Sequence, residues 1–216
     1  MGRTVIAVAI DGRAAGLIAV ADEARPTAFA AIAALKRLGI RPVMLTGDNA
    51  ATARRIAAEV GIDEVLAEVL PGEKAARVAE LQQAGRRVAM VGDGVNDAPA
   101  LASADVGIAI GAGTDVAIET ADIVLMRSDP LDVATAITIG RGTLHKMRQN
   151  LAWAVGYNSL ALPLAAGLLE PIGLTLRPEI AAISMSGSSI LVALNAVSLK
   201  RLKLPGAPAG GDVEQH

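Results

Sequence analysis

Apolar positions come in short runs through the first part of the chain and in two long runs near its end. Residues 4–10 (TVIAVAI) and 14–21 (AAGLIAVA) predict two strands joined by a turn at Asp11-Gly12. Pro26 then opens a helix that continues to about Leu38, and Gly39 ends it. From there strands and helices alternate. Pro42 to Leu45, Val65 to Val69, Val88 to Val91, Val106 to Ile110 and Ile123 to Leu125 read as strands. Asn49 to Val60, Gly72 to Ala84 and Asp97 to Ser103 read as helices, with Gly61 and Gly85 as stops, and a further short helix precedes the last strand. Uniformly apolar strands that alternate with helices imply an α/β fold, a parallel sheet with helices on both faces.

The pattern changes near residue 130. Leu131 to Gln149 predicts a helix with a basic end: Arg141, His145, Lys146 and Arg148. Leu151 to Leu169 then runs 19 residues without a charge, and Ile180 to Leu199 runs 20. Each is long enough to cross a bilayer core. The segment between them holds Glu170, Arg177 and Glu179, whereas Lys200, Arg201 and Lys203 follow the second run. Basic residues flank both outer ends, so a two-helix transmembrane hairpin with both ends in the cytoplasm is expected. The competing reading is two buried helices of a soluble domain, for which 216 residues leave little room. The tail after Leu204 (PGAPAGGDVEQH) has the composition of a disordered segment.

Composition narrows the choice. Apolar residues make up 52% and charged residues 19%, too apolar for a disordered chain and too polar for one wholly in a membrane. A formal net charge of −2 gives no reason to expect a nucleic-acid partner. With no cysteine, there is no disulfide, thiolate metal site or cysteine nucleophile. The N-terminus lacks the apolar core and cleavage site of a signal peptide.

The strongest chemical signal is GDGVNDAPAL, residues 92–101, which follows a predicted strand and opens a helix. That places it at the carboxyl edge of the sheet, where open α/β folds bind ligands. Gly92 and Gly94 allow a sharp bend, so that Asp93 and Asp97 converge on one side. Two carboxylates suit a hard ion such as Mg²⁺. The plainer reading makes Asp97 a helix cap. TGDN, residues 46–49, also joins a strand to a helix, and the Thr46 hydroxyl there is placed to donate to a phosphoryl oxygen. Lys74, in LPGEK, sits one turn inside a helix with the reach to neutralise a phosphate, although a lone lysine is ordinarily a surface residue.

TGDN, PGEK and GDGVNDAPAL, in that order, resemble the later motifs of the haloacid-dehalogenase-like superfamily as they occur in P-type ATPases. ADEARP, residues 21–26, looks like that family's return from nucleotide-binding domain to phosphorylation domain. The resemblance implies Mg²⁺ and ATP as cofactors, with the ATP site mostly outside this chain. It implies Asp93 and Asp97 at Mg²⁺, and Thr46, Gly47, Asp48, Lys74 and Asp97 as the catalytic set. Gly92, Gly94 and Asn96 would shape the loop around the cofactor. The division follows the logic of phosphoryl transfer, which is positioning and charge balance.

The family phosphorylates the aspartate of an Asp-Lys-Thr-Gly-Thr segment, and this sequence holds none: no lysine here follows an Asp. The chain is therefore expected to be a C-terminal piece of such an ATPase, inactive alone. Its expected parts are the last strands of the nucleotide domain (1–20), a phosphorylation domain (21–130), a connecting helix with two membrane helices at about 151–169 and 180–199 (131–204), and a tail (205–216). One rival nucleophile is Asp11, which ends an apolar strand before Gly12 as in soluble phosphatases of the superfamily. Arg13 and Ala14 replace the second Asp and the Thr of that loop, so a hairpin turn is the better reading.

The long apolar runs contain Tyr157, Asn158 and Pro163, then Met185, Ser188, Ser189 and Asn195. Taken alone, these residues fit either helix packing through small polar groups or a soft-metal site, since a thioether suits Cu(I). Tyr-Asn and Met-x-x-Ser-Ser resemble the last two helices of the copper(I)-exporting ATPases. The resemblance implies Tyr157, Asn158, Met185, Ser188 and Ser189 as ligands of transported Cu⁺ or another soft ion. It also implies a multi-pass protein of the plasma (inner) membrane whose partners are the bilayer and the missing domains. Two alternatives remain: a soluble phosphatase using Asp11, and a non-catalytic membrane subunit that complements another chain.

Overall fold

The computed structural model describes residues 4–20, 23–111, 115–168, 170–173 and 177–206. It divides into two compact units, Met1–Thr135 and Ala136–His216.

The first unit opens with an antiparallel hairpin, β1 (Thr4–Ile10) and β2 (Arg13–Val20). Its two-residue loop has positive φ at both Asp11 (50°) and Gly12 (76°), the geometry that matches the twist of paired strands. Helix α1 (Ala28–Arg37) follows the Pro26-Thr27 turn. Then come β3 (Val43–Leu45), α2 (Ala50–Val60), β4 (Glu64–Leu66), α3 (Lys74–Gln83), β5 (Ala89–Gly92), α4 (Ala98–Ser103), β6 (Val106–Ile110), α5 (Asp115–Thr120) and β7 (Ile123–Leu125). Each predicted strand and helix is present. Local chemistry explains their ends. Asn49 caps α2 by accepting from Thr52 N at 2.9 Å, and Gly61 closes it at φ +83°.

The strands are parallel, but they form two sets and not one continuous sheet. β3 pairs with β4, and β5, β6 and β7 pair in that order. Among the described residues no ladder joins β3 to β5. A shared core still links the sets: Leu45 of β3 packs on the buried cluster of Val78, Met90, Ala100 and Leu101. Small side chains let helices lie close to strands, and Ala53, Ala100 and Ala109 are fully buried. Aspartates secure the opposite, amino-terminal edge. Asp105 accepts from Val88 N (2.8 Å) and Gln82 Nε2 (3.2 Å), and Asp122 accepts from Gly107 N (2.8 Å).

Helix α6 (Leu131–Ala165) begins in the first unit and runs into the second. This corrects the expected split into a connecting helix and a span at 151–169: the two are one 35-residue helix, which ends at Ala165 before a turn with Gly167 at φ +77°. Pro163 lies within its last turn, where it removes one i to i−4 bond from the helix. Helix α7 (Pro178–Val197) coincides with the second run, and a 3₁₀ turn, Ser198–Arg201, extends it. Among the described residues one helix, at Ala182–Arg201, is long and apolar enough to cross a membrane. Of the expected tail, residues 207–216 lie outside the described residues.

Candidate phosphoryl-transfer site

Three loops leave the carboxyl ends of parallel strands. The first, Thr46 to Asn49, follows β3. Thr46 N donates to Leu66 O at 3.0 Å, which carries the ladder one residue past the strands. Val69 N then donates to Thr46 O (3.1 Å) and Glu68 N to Asp48 O (2.9 Å), so the loop after β4 holds the loop after β3 by its backbone. Within the first loop Thr46 Oγ1 donates to Asp48 Oδ2 (2.9 Å) and accepts from Asp48 N (3.1 Å). Gly47 lies beside Val69, whose carbonyl oxygen would be 3.4 Å from an added Cβ, an ordinary van der Waals contact.

The second element is the Pro71–Glu73 3₁₀ turn that leads into α3. Glu73 Oε2 accepts from Leu70 N at 3.2 Å, which fixes the entry of the chain into the helix. Lys74 is thereby the first residue of α3. Its Nζ meets Asp97 Oδ1 at 2.6 Å, with both side chains largely shielded (16% and 12% exposed). A charge pair taken this far out of water persists only with close geometry.

The third element is the loop after β5, with a 3₁₀ turn at Val95–Asp97. Asp97 does not cap α4 with its side chain; the carboxylate turns to Lys74 instead. Gly92 makes this possible, because a Cβ there would lie 2.6 Å from Asp97 Cβ and 2.8 Å from Oδ2. The glycine is needed for close approach. Asp93 is exposed, and Gly94 O accepts from Asp97 N at 3.0 Å, tightening the turn. Asn96 is exposed on the same loop.

The structure thus joins Lys74 to Asp97 and Thr46 to Asp48; Asp97 Oδ1 accepts from the Lys74 ammonium, while Asp93 is exposed on the same loop. No group of three or more His, Cys, Asp or Glu residues is placed to hold a metal among the described residues. A single open carboxylate fits Mg²⁺ only as one ligand among phosphate oxygens and waters, which is how that ion is ordinarily held. Asp11 lies in the antiparallel hairpin turn, on a different sheet from the parallel strands that carry Thr46 and Asp93.

Residues 2–105 match the haloacid dehalogenase-like hydrolases. The chain is 57% identical to Copper-exporting P-type ATPase B of Archaeoglobus fulgidus, over 92% of this chain and 29% of that protein. It is 54% identical to the copper-exporting P-type ATPase of Bacillus subtilis (94% of this chain, 24% of that one). Among solved structures, a crystal structure of a zinc-transporting PIB-type ATPase superposes with a TM-score of 0.77 at 39% identity, over 92% of this chain and 31% of that one. The chain belongs to the heavy-metal P-type ATPases. It spans less than a third of the length of these curated relatives.

In this P-type ATPase chain the second unit carries the other residues singled out from sequence. Tyr157 OH lies 2.7 Å from Ser184 Oγ, and Trp153 Nε1 donates to Ser188 Oγ at 3.1 Å, so Tyr157 and Ser188 sit between α6 and α7. Asn158, Met185 and Ser189 do not. Asn158 Nδ2 and Ser189 Oγ bond back to their own helices, at Ala154 O (2.9 Å) and Met185 O (3.2 Å), and all three are exposed. Helical geometry decides this: positions 184 and 188 share one face, and 185 and 189 lie about 100° around from it. The sequence reading missed Trp153, Ser184 and Glu68. Glu68 has φ +59°, uncommon for a residue with a side chain, and its Oε1 accepts from Ala50 N at 3.3 Å. Nothing in the sequence marks a glutamate for that conformation.

Proposed function

We propose that this chain supplies the phosphate-handling and final membrane portion of an ATP-driven exporter of Cu⁺. The observation that carries the reading is the shielded Lys74–Asp97 pair at 2.6 Å, held where PGEK meets GDGVND at the carboxyl edge of parallel strands. Lys74 neutralises a phosphoryl group, and Asp97 holds the ammonium in position. Thr46 donates its hydroxyl to a phosphoryl oxygen, exchanging Asp48 for it. Asp93 holds Mg²⁺, which when bound offsets phosphate charge. Gly92, Gly94 and Asn96 shape that loop. The aspartyl acceptor and most of the ATP site belong to segments outside this sequence.

Copper is favoured over zinc on three grounds. The sequence relatives at 54–57% identity are named as copper exporters, whereas the solved zinc transporter is 39% identical. No charged residue interrupts residues 151–169 or 180–199. Met185 offers a soft ligand. Asn158, Met185 and Ser189, exposed on the hairpin, then complete a metal site with helices from elsewhere in the protein, and Tyr157 and Ser188 border it. The α/β unit and the C-terminus lie in the cytoplasm, with the protein in the plasma (inner) membrane. The open edges of β3 and β5 also support a second reading, in which a separate chain contributes the missing strand and domains.

Disrupting the encoding gene tests the choice of ion. The expected result is cellular copper accumulation and copper sensitivity, with zinc unchanged. Zinc accumulation with normal copper would sink the copper assignment.

A further inference from the structure

Two stretches of positive charge lie far apart in sequence, on α6 and after α7. Close packing brings them together. A Cβ at Gly142 would lie 3.0 Å from Leu202 Cδ2 and 3.3 Å from Leu199 Cδ1. Nearby, Lys146 Nζ donates to Asn195 Oδ1 (2.8 Å), and Asn195 Nδ2 donates to Asn150 Oδ1 (2.8 Å). The basic turns of α6 are therefore fastened to the end of α7. Arg141, Arg148, Lys200, Arg201 and Lys203 are exposed around this junction, and Lys146 is half-buried within it.

Acidic residues are sparse in the sequence around them. The sequence has none between Asp132 and Glu170, and none between Glu179 and Asp212. Among the described residues no carboxylate pairs with Arg148, Lys200, Arg201 or Lys203. Concentrated like charge of this kind costs stability unless a counter-charge arrives from outside. The cluster also stands at a defined depth. It directly adjoins the apolar Ala182–Arg201 helix, and Trp153, an aromatic of the type that seeks membrane interfaces, follows Arg148 by about 7.5 Å of helix rise.

We infer that this junction is a binding site for anionic phospholipid headgroups, with Arg148, Lys200, Arg201 and Lys203 as its contacts. The inference rests on the reading of α7 as a membrane span. Lipid is favoured over a free anion because the charges line the ends of apolar helices, and do not converge in a closed pocket. Basic residues beside a span gain affinity for acidic lipid one by one, roughly fivefold each.

The chain's sole tryptophan, Trp153, provides the readout. The purified chain is reconstituted in phosphatidylcholine vesicles holding a small fraction of either phosphatidylglycerol or phosphatidylcholine with brominated acyl chains, which quench tryptophan on contact. Quenching by brominated phosphatidylcholine reports insertion alone. Phosphatidylglycerol is expected to quench in clear excess of it, and the excess should shrink as salt rises. A fourfold variant (Arg148→Gln, Lys200→Gln, Arg201→Gln, Lys203→Gln) should lose that excess while quenching by phosphatidylcholine is unchanged. Equal quenching by the two lipids in the unaltered chain, or an excess that survives in the variant, would overturn the site and leave the membrane reading intact. An excess erased by millimolar inorganic phosphate at matched ionic strength would reassign the cluster to a free anion. Absence of quenching by either lipid would overturn the membrane reading and this inference together.

Discussion

Gly92 shows how much a single missing side chain decides. Asp97 occupies the space where a Cβ would stand, at 2.6 Å, so Gly92→Ala must push Asp97 aside or shift β5. Overpacking of this kind costs roughly 1–3 kcal/mol. The expected outcome is a chain that folds with lower stability in urea and has lost the Lys74–Asp97 pair; unchanged stability would show that the loop yields freely. Asp93 makes the complementary case. It is exposed, so Asp93→Asn is expected to leave the fold intact and to remove most of the Mg²⁺ binding proposed for this loop, with calorimetry as the measurement. Equal binding by the variant would eliminate Asp93 as the ligand. Both residues sit in one motif, yet one acts by what it lacks and the other by what it leaves open.

At the scale of elements, the α/β unit is held by short polar ties as much as by its core. Thr27 Oγ1 donates to Asp129 Oδ1 at 2.6 Å, and Leu131 N donates to the same oxygen at 2.9 Å, which joins the entry of α1 to the start of α6. These bonds, Thr27's first, hold the Asp129 carboxyl below the usual aspartate value of 3.8. Val88 N and then Gln82 do the same for Asp105. A carboxylate whose folded pKa is depressed adds stability above its unfolded pKa and loses it as pH falls through the folded value. Stability of the unit is therefore expected to be level above about pH 5 and to decline below about pH 4. Solvent screening keeps each contribution small. Asp129→Asn should flatten the acid limb of a thermal-melting profile, and an unaltered limb would show that the tie is not linked to folding. The helix start at Asn49 is a simpler case: Asn49→Ala should cost about 1 kcal/mol in urea unfolding, through loss of the bond from Thr52 N.

At the scale of the whole molecule, the arrangement of charge sets the expected topology. Translocating Arg141, Lys146, Arg148, Lys200, Arg201 or Lys203 is costly, and the segment from Glu170 to Glu179 holds a single arginine. A cysteine introduced as Gly173→Cys is expected to react with an impermeant thiol reagent from outside intact cells. One introduced as Ala207→Cys should react only after lysis. The chain has no native cysteine to confuse the labelling. The reverse pattern, or equal labelling at both, would overturn the hairpin and the transporter reading with it.

Much of this was legible in the residues themselves. Alternating apolar runs and Gly or Asn punctuation located every strand and helix of the α/β unit, because those signals act over a few residues. TGDN, PGEK and GDGVNDAPAL named the candidate site for the same reason, and the relatives share the family they indicate. Tertiary structure decided what depends on partners distant in sequence. It bonded Asp97, read from sequence as a companion of Asp93, to Lys74, 23 residues away. It put Ser184 and Ser188 against α6 while Met185 and Ser189 turned outward, a choice set by which face of α7 packs and not by residue type. Local propensity is written residue by residue. Which carboxylate meets which cation, and which helix face is covered, is fixed only when separate elements share one space.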